Sequence, residues 1–215
     1  MSVTENREPA WLSREKIRRR SRLMSEVLEM LLDRVETPIG KMLVVADHEG
    51  NLRALYFDDY EAGLQRSLSR QYGKNGFRLT EARNPHELSA AIAQYFAGDV
   101  KVIDKLPVKT GGTKFQREVW RALREIPCGK TISYGELAKR IGRPAAVRAV
   151  GLANGSNPIG VVVPCHRVIG ADGSLTGYGG GMERKRWLLK HEGASFEVKQ
   201  QTTAAQTPLF PTPLR

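Results

Sequence analysis

The stretch SYGELAKRIGRPAAVRAVGLANG, Ser133 to Gly155, decides how the chain is read. Ser133 and Glu136 stand in the capping-box pattern, so a helix should open there and end at Gly142. Pro144 suits the first position of a second helix, which should run on through AAVRAVGLANG. Two helices joined by a tight glycine-containing turn predict a helix-turn-helix. The second helix carries Ala145, Ala146, Ala149, Gly151 and Ala153, leaving Arg148 as its single long side chain. It lacks the side chains that read base edges in a major groove. Two readings stand side by side. Either the small residues pack tightly in a core with Arg148 at the rim, or they bring the backbone close to a minor groove. In the second case Arg148 takes the place of an extruded base.

Upstream, Thr113-Lys114-Phe115-Gln116 forms another capping box before REVWRALREI, whose apolar residues recur at helical spacing. The Gly111-Gly112 pair just before it is a natural domain joint. Before that joint, TPIGKMLVVADHEGNLRALYF gives two apolar runs around a Gly-Asn turn, the pattern of a β-hairpin. Asn84-Pro85-His86-Glu87 supplies a cap, a proline at the first helical position and an acid, so a helix should follow over SAAIAQYFAG. VKVID, from Val100, has the look of a short strand. REKIRRRSR, Arg14 to Arg22, and the apolar-spaced MSEVLEMLL after it predict a short helix behind a basic cluster. QQTTAAQTPLFPTPLR at the other end reads as a flexible tail. The expected organisation is a basic extension over 1–34, an α/β domain over 35–109, a mostly helical domain over 110–196 and a tail over 197–215.

The 215 residues, 40% of them hydrophobic, suffice for two small packed halves. Lys and Arg outnumber Asp and Glu by 34 to 23, a formal charge of +11. That excess favours a polyanion, nucleic acid first, although it also solvates a surface. Two cysteines, Cys128 and Cys165, cannot make a disulfide framework, which points to a reducing, cytoplasmic setting. The histidines are His48, His86, His166 and His191, and none has metal-ligand spacing with the cysteines, so no metal is expected. No apolar run approaches the ~20 residues of a membrane span.

The run VVVPCHRVIG, Val161 to Gly170, sets Cys165 against His166. Val161 to Val163 should form a buried strand that Pro164 halts, fixing the thiol at its end. A free thiol titrates near ~8.5, so attack at neutral pH needs a base to draw off its proton. His166 is the nearest base. Neighbours on an extended chain face opposite ways, so the contact requires a bend or a water. The other imidazole nitrogen commonly has a carboxylate partner, and the helix expected from about Met182 offers Glu183 and Glu192. An inert buried Cys165 is the bland alternative.

PCHRVIG, with TGGTKFQREVWRALREIPCG, ISYGELA, RPAAVRAVGLANGSNP and GYGGGMERKRWLLKHEG, resembles the methylated-DNA–protein-cysteine methyltransferases, or O6-alkylguanine-DNA alkyltransferases, of the bacterial single-subunit type. The resemblance runs from about Met30 to Phe196. It implies a ribonuclease-H-like α/β domain followed by a helical DNA-binding domain with a winged-helix-like helix-turn-helix, an α+β fold. It also implies irreversible, single-turnover transfer of an alkyl group from O6-alkylguanine, and from O4-alkylthymine, in double-stranded DNA to Cys165. No cofactor is implied, and a monomer suffices.

In the family's terms His166 is the water-linked base, Glu192 rather than Glu183 the acid behind it, and Asn157 the tie between helix-turn-helix and cysteine. Tyr134, Val168, Tyr178 and Gly179 fall to the guanine pocket. Arg148 is the finger that fills the vacated stack, with Ala145, Ala146, Ala149, Gly151 and Asn154 on the DNA face. Tyr134 on the ring side, and an amide near Tyr178 or Gly179 on the oxygen side, would stabilise the leaving guanine. Gly160 and Gly179 stand where some relatives have proline and serine, so a roomier pocket is expected. The arm before Met30 has no counterpart in the family pattern and is read either as a lineage-specific addition or as lying upstream of a true start at Met24 or Met30. A non-catalytic DNA-binding module and a cysteine hydrolase are the competing classes. The cysteine itself opposes the first, because alkyltransferase-like relatives carry tryptophan there. The stability of a product on sulfur opposes the second.

Overall fold

The computed structural model describes residues 27–197. The basic cluster at Arg14–Arg22 and the Pro-containing tail lie outside the described residues. A four-stranded sheet, ordered β3-β2-β1-β4, comes first: β1 Leu28–Val35, β2 Met42–Asp47, β3 Leu52–Phe57 and β4 Phe77–Glu81. β2 pairs antiparallel with β3, as the hairpin pattern predicts, and also with β1, while β4 runs parallel to β1. β2 is buried along its whole length. Its odd residues, Leu43 and Val45, join Met30, Leu32 and Ala54 under helix α1, Glu61–Tyr72, through Leu64 and Leu68. Its even residues, Met42, Val44 and Ala46, face helix α2, Leu88–Phe96, and the second domain.

β1 corrects the helix expected over MSEVLEMLL, because Met30 and Leu32 are buried with the period of two that a strand imposes. Leu28 and Glu29 pair with Phe77 and Arg78, so the sheet begins before residue 35. The strand expected at VKVID is instead a 3-10 turn, Val102–Lys105. Helix α2 starts at Leu88 rather than Pro85, because Asn84, His86 and Glu87 have left-handed φ of 46°, 50° and 59°. Asn84 no longer stands at the cap position, which falls to Glu87, but its Oδ1 still accepts from the Ala90 amide at 2.9 Å and satisfies a first-turn donor.

The second domain holds α3 Lys114–Arg124, α4 Tyr134–Arg140, α5 Val147–Gly155 and α6 Met182–His191, with a two-stranded sheet of β5 Ile132–Ser133 and β6 Val168–Ile169. The Thr113 box is reciprocal, and Ser133 caps α4 by accepting from Glu136 N. Gly142 follows α4 at φ +70°, the left-handed turn that lets the chain double back. α5 opens at Val147, three residues later than expected, because a turn closed by Ala146 N to Arg143 O absorbs Pro144 and Ala145. Trp120 Nε1 donates to Ala153 O at 2.8 Å and fixes α5 against α3.

β3 is an edge strand, and its open side is used to join the domains. The linker docks there through Leu52 N to Pro107 O, and the segment before the cysteine docks through Leu55 N to Pro158 O. Both are parallel bridges that satisfy an otherwise open edge. Position in the first domain therefore sets position at Cys165.

Candidate active site

Val161–Val163 is buried as expected but is a tight turn, not a strand. Val162 N bonds Gly160 O at 2.8 Å, putting Val161 at the centre of a three-residue turn with φ +69°. A β-branched residue pays about 1–3 kcal/mol of strain there. Cys165 N then bonds Val163 O around Pro164, whose φ of −81° and ψ of 65° give the relaxed mirror turn. The chain thus coils sharply into a 3-10 turn, Cys165–Arg167. Neighbours on an extended chain face opposite ways, and a bend of this kind is what an adjacent thiol and imidazole need to serve one site.

Asn157 holds this coil in place. Its Nδ2 donates to Val163 O at 2.7 Å and lies 3.2 Å from Cys165 Sγ, and its Oδ1 accepts from Ile159 N. Burial pushes the Cys165 thiol up, opposed by the Asn157 amide and the Lys185 charge. Lys185 is fully buried on α6, its Nζ donating to Val168 O at 2.7 Å and Thr176 O at 3.2 Å. Burial brings it down to about 8.

His166 is wholly buried, with Nε2 3.0 Å from Glu192 Oε1. Arg167 grips the same carboxylate through Nε at 2.8 Å and Nη2 at 2.9 Å. Burial opposes the charge on Glu192, yet His166 and Arg167 hold it well below the usual carboxylate range. An ionised Glu192 accepts a hydrogen bond from Nε2–H, which leaves Nδ1 with its lone pair. Nδ1 is buried and has no protein partner among the described residues. Burial pushes the imidazole down despite Glu192, so it rests neutral, the form a base needs. Glu183, the other sequence-level choice, is exposed and pairs with Arg186.

A cavity of about 260 Å³ opens at Cys165, lined by Asn157, Gly160, Tyr178 and Gly179 on one side. Its other side belongs to the first domain, where Tyr60, Arg66 and Arg70 of the α1 region line it. Sequence reading missed this wall, because nothing in a surface helix announces which cleft it borders. Tyr134 does not line the cavity; its hydroxyl bonds Thr176 Oγ1 at 3.0 Å beneath Gly151. Val168 corrects a pocket assignment: it is fully buried in β6, lies outside the cavity, and its carbonyl engages Lys185.

Arg148, Ala145 and Ala149 are exposed along α5 and the turn before it, with Ala146 and Gly151 half-buried. Asn154 departs from the expected DNA face. It is 5% exposed and turns inward, its Nδ2 3.4 Å from Cys165 O. Arg148 is also not the only long side chain there, since Leu152, one turn on, is 73% exposed.

Family models for the 6-O-methylguanine DNA methyltransferase ribonuclease-like domain and DNA binding domain match residues 30–110 and 114–194. The chain belongs to this family. It is 52% identical over 167 residues to a methylated-DNA–protein-cysteine methyltransferase of Shigella flexneri, covering 78% of this chain and 98% of that one. A Methanosarcina acetivorans protein of the same name is 46% identical over 159 residues, covering 74% and 96%. Among solved structures, Mycobacterium tuberculosis OGT in complex with DNA aligns with a TM-score of 0.61 at 40% identity, covering 77% and 92%. The two-domain α+β reading of the sequence is that of the family. No helix among the described residues is long and apolar enough to cross a membrane.

Proposed function

We propose that this family member repairs alkylated double-stranded DNA by direct reversal, taking the alkyl group of O6-alkylguanine, or O4-alkylthymine, onto Cys165 Sγ. The observation that carries the reading is the thiol at the cavity, backed by a buried His166–Glu192 pair. Cys165 gives its proton toward His166 Nδ1 as sulfur attacks the alkyl carbon. The new S–C bond replaces the C–O bond, and the electron pair of that bond passes to the guanine oxygen. His166 can return the proton to the leaving base. Lys185, buried on α6 within electrostatic reach of the sulfur, stabilises the thiolate as it forms, and Asn157 Nδ2 orients it. The thioether has no easy return, so each molecule acts once.

Arg148 and the small residues of α5 support minor-groove approach, with Arg148 filling the stack that the flipped base leaves. Exposed Leu152 extends that face as an apolar wedge. Lys139, Arg140 and Arg143 are exposed around the α4–α5 turn, suited to phosphates of any sequence. A monomer in the cytoplasm, where both thiols stay reduced, completes the proposal.

The test is peptide mass spectrometry after incubation with duplex DNA carrying O6-methylguanine. One added methyl on the Cys165 peptide, at one equivalent per protein, is expected. DNA binding with no mass change would leave a recognition module, and repeated turnover a hydrolase.

A further inference from the structure

Glu192 is held from two directions. His166 and Arg167 both come from the cysteine turn, so their bonds tie the carboxylate to the element it serves. The third donor comes from the other domain: the Tyr95 hydroxyl on α2 donates a hydrogen bond to Glu192 Oε1 at 2.8 Å. Tyr95 is fully buried, edge-on to Phe96 at 5.1 Å. Its backbone is clasped as well, because His191 Nε2, the neighbour of Glu192, lies 2.7 Å from Tyr95 O. The end of α6 is thereby pinned to one residue of the first domain.

We infer that Tyr95 is a positioning residue for alkyl transfer, its hydroxyl fixing and partly quenching the Glu192 carboxylate that orients His166. The inference rests on the proposed role of His166 as base. Three donors compete for Oε1, so each weakens the pull of the carboxylate on the others. Removing the phenol proton lets Glu192 hold the imidazolium more strongly. His166 then stays protonated to a higher pH, where it is no base. The groups facing His166 are Lys185 on α6 and Glu192 just after it, Arg167 and Cys165 in its own turn, and the Tyr178 ring. Cys128 lies within electrostatic reach of Glu192 and Arg167, and burial pushes its thiol up to about 11, so it stays neutral across the range that matters.

The experiment follows methyl transfer from O6-methylguanine duplex to full-length protein as single-turnover rate against pH. Tyr95→Phe keeps the ring and loses the donor. It is expected to slow the plateau rate roughly threefold or more, and to move the acid limb up by about half a pH unit. Placing 3-fluorotyrosine at 95, a stronger donor of nearly the same shape, should move that limb the other way; it also serves if Tyr95→Phe fails to fold. A merely structural tyrosine would lower Tm and leave the limb where it is, which would overturn the inference. If the unsubstituted protein takes no methyl onto Cys165, the underlying reading falls instead.

Discussion

At the residue scale, Lys185 is the group whose chemistry its position in the sequence conceals. Within GGMERKRWLLKHEG it looks like one more solvated helix cation, yet it is fully buried and its charge opposes the upward push of burial on the thiol. Lys185→Met keeps the length and removes the charge. The apparent thiol pKa should rise by about one unit, read from the pH dependence of alkylation by a small haloacetamide, and methyl transfer at neutral pH should slow about tenfold. An unmoved profile would confine Lys185 to its bonds with Val168 O and Thr176 O. Cys165 and His166 are legible because their adjacency after a proline is local and chemically unusual, whereas Asn157 entered only through the resemblance. Glu192 could be narrowed to one of two acids by helical spacing, and the resemblance chose it. Lys185 and Tyr95 were not legible, because what makes them special is a partner 17 or 97 positions away.

At the element scale, the parts set by neighbours in sequence came out well. The hairpin and both caps need only a few adjacent residues, and those residues were present. The failures share a different cause. Val161 adopts a left-handed φ that no valine-rich stretch advertises, held there by bonds from Asn157 and by β3. β1 looked helical because its apolar run fits either period, and only its two neighbouring strands, β2 and β4, together with the helices on the sheet select the alternate burial of a strand. Helix α5 makes the clearest prediction at this scale. Arg148→Ala leaves its small-residue face intact and removes the side chain proposed to occupy the vacated stack. Repair of duplex should slow roughly tenfold or more, while reaction with the free alkylated base stays unchanged. Equal slowing of both substrates, compared by single-turnover rates, would remove the finger role.

At the scale of the whole molecule, the domains meet through β3, through the cavity, and through the carboxylate of Glu192. Arg184 adds a clasp, its guanidinium bonding Asp59 at 2.8 Å and Ile39 O at 2.9 Å. Glu192 gathers donors from both domains into a buried site, so its ionisation should couple the stability of the halves. Its carboxyl is depressed in the fold relative to an ordinary value near 4.5. A depressed acid contributes stability that is complete above its unfolded value and is lost as pH falls below it toward the folded one. Protonation leaves Arg167 buried against a neutral partner, an uncompensated charge worth about 3–5 kcal/mol. Calorimetry should therefore show Tm level near neutrality and falling steeply below about pH 4.5, with both domains melting in one transition. Glu192→Gln should lower Tm at pH 7, flatten the acid slope and raise the apparent thiol pKa. If the substituted protein keeps the steep slope, other carboxylates, such as Asp47 in its buried pair with Arg53 within the first domain, set the loss of stability in acid instead.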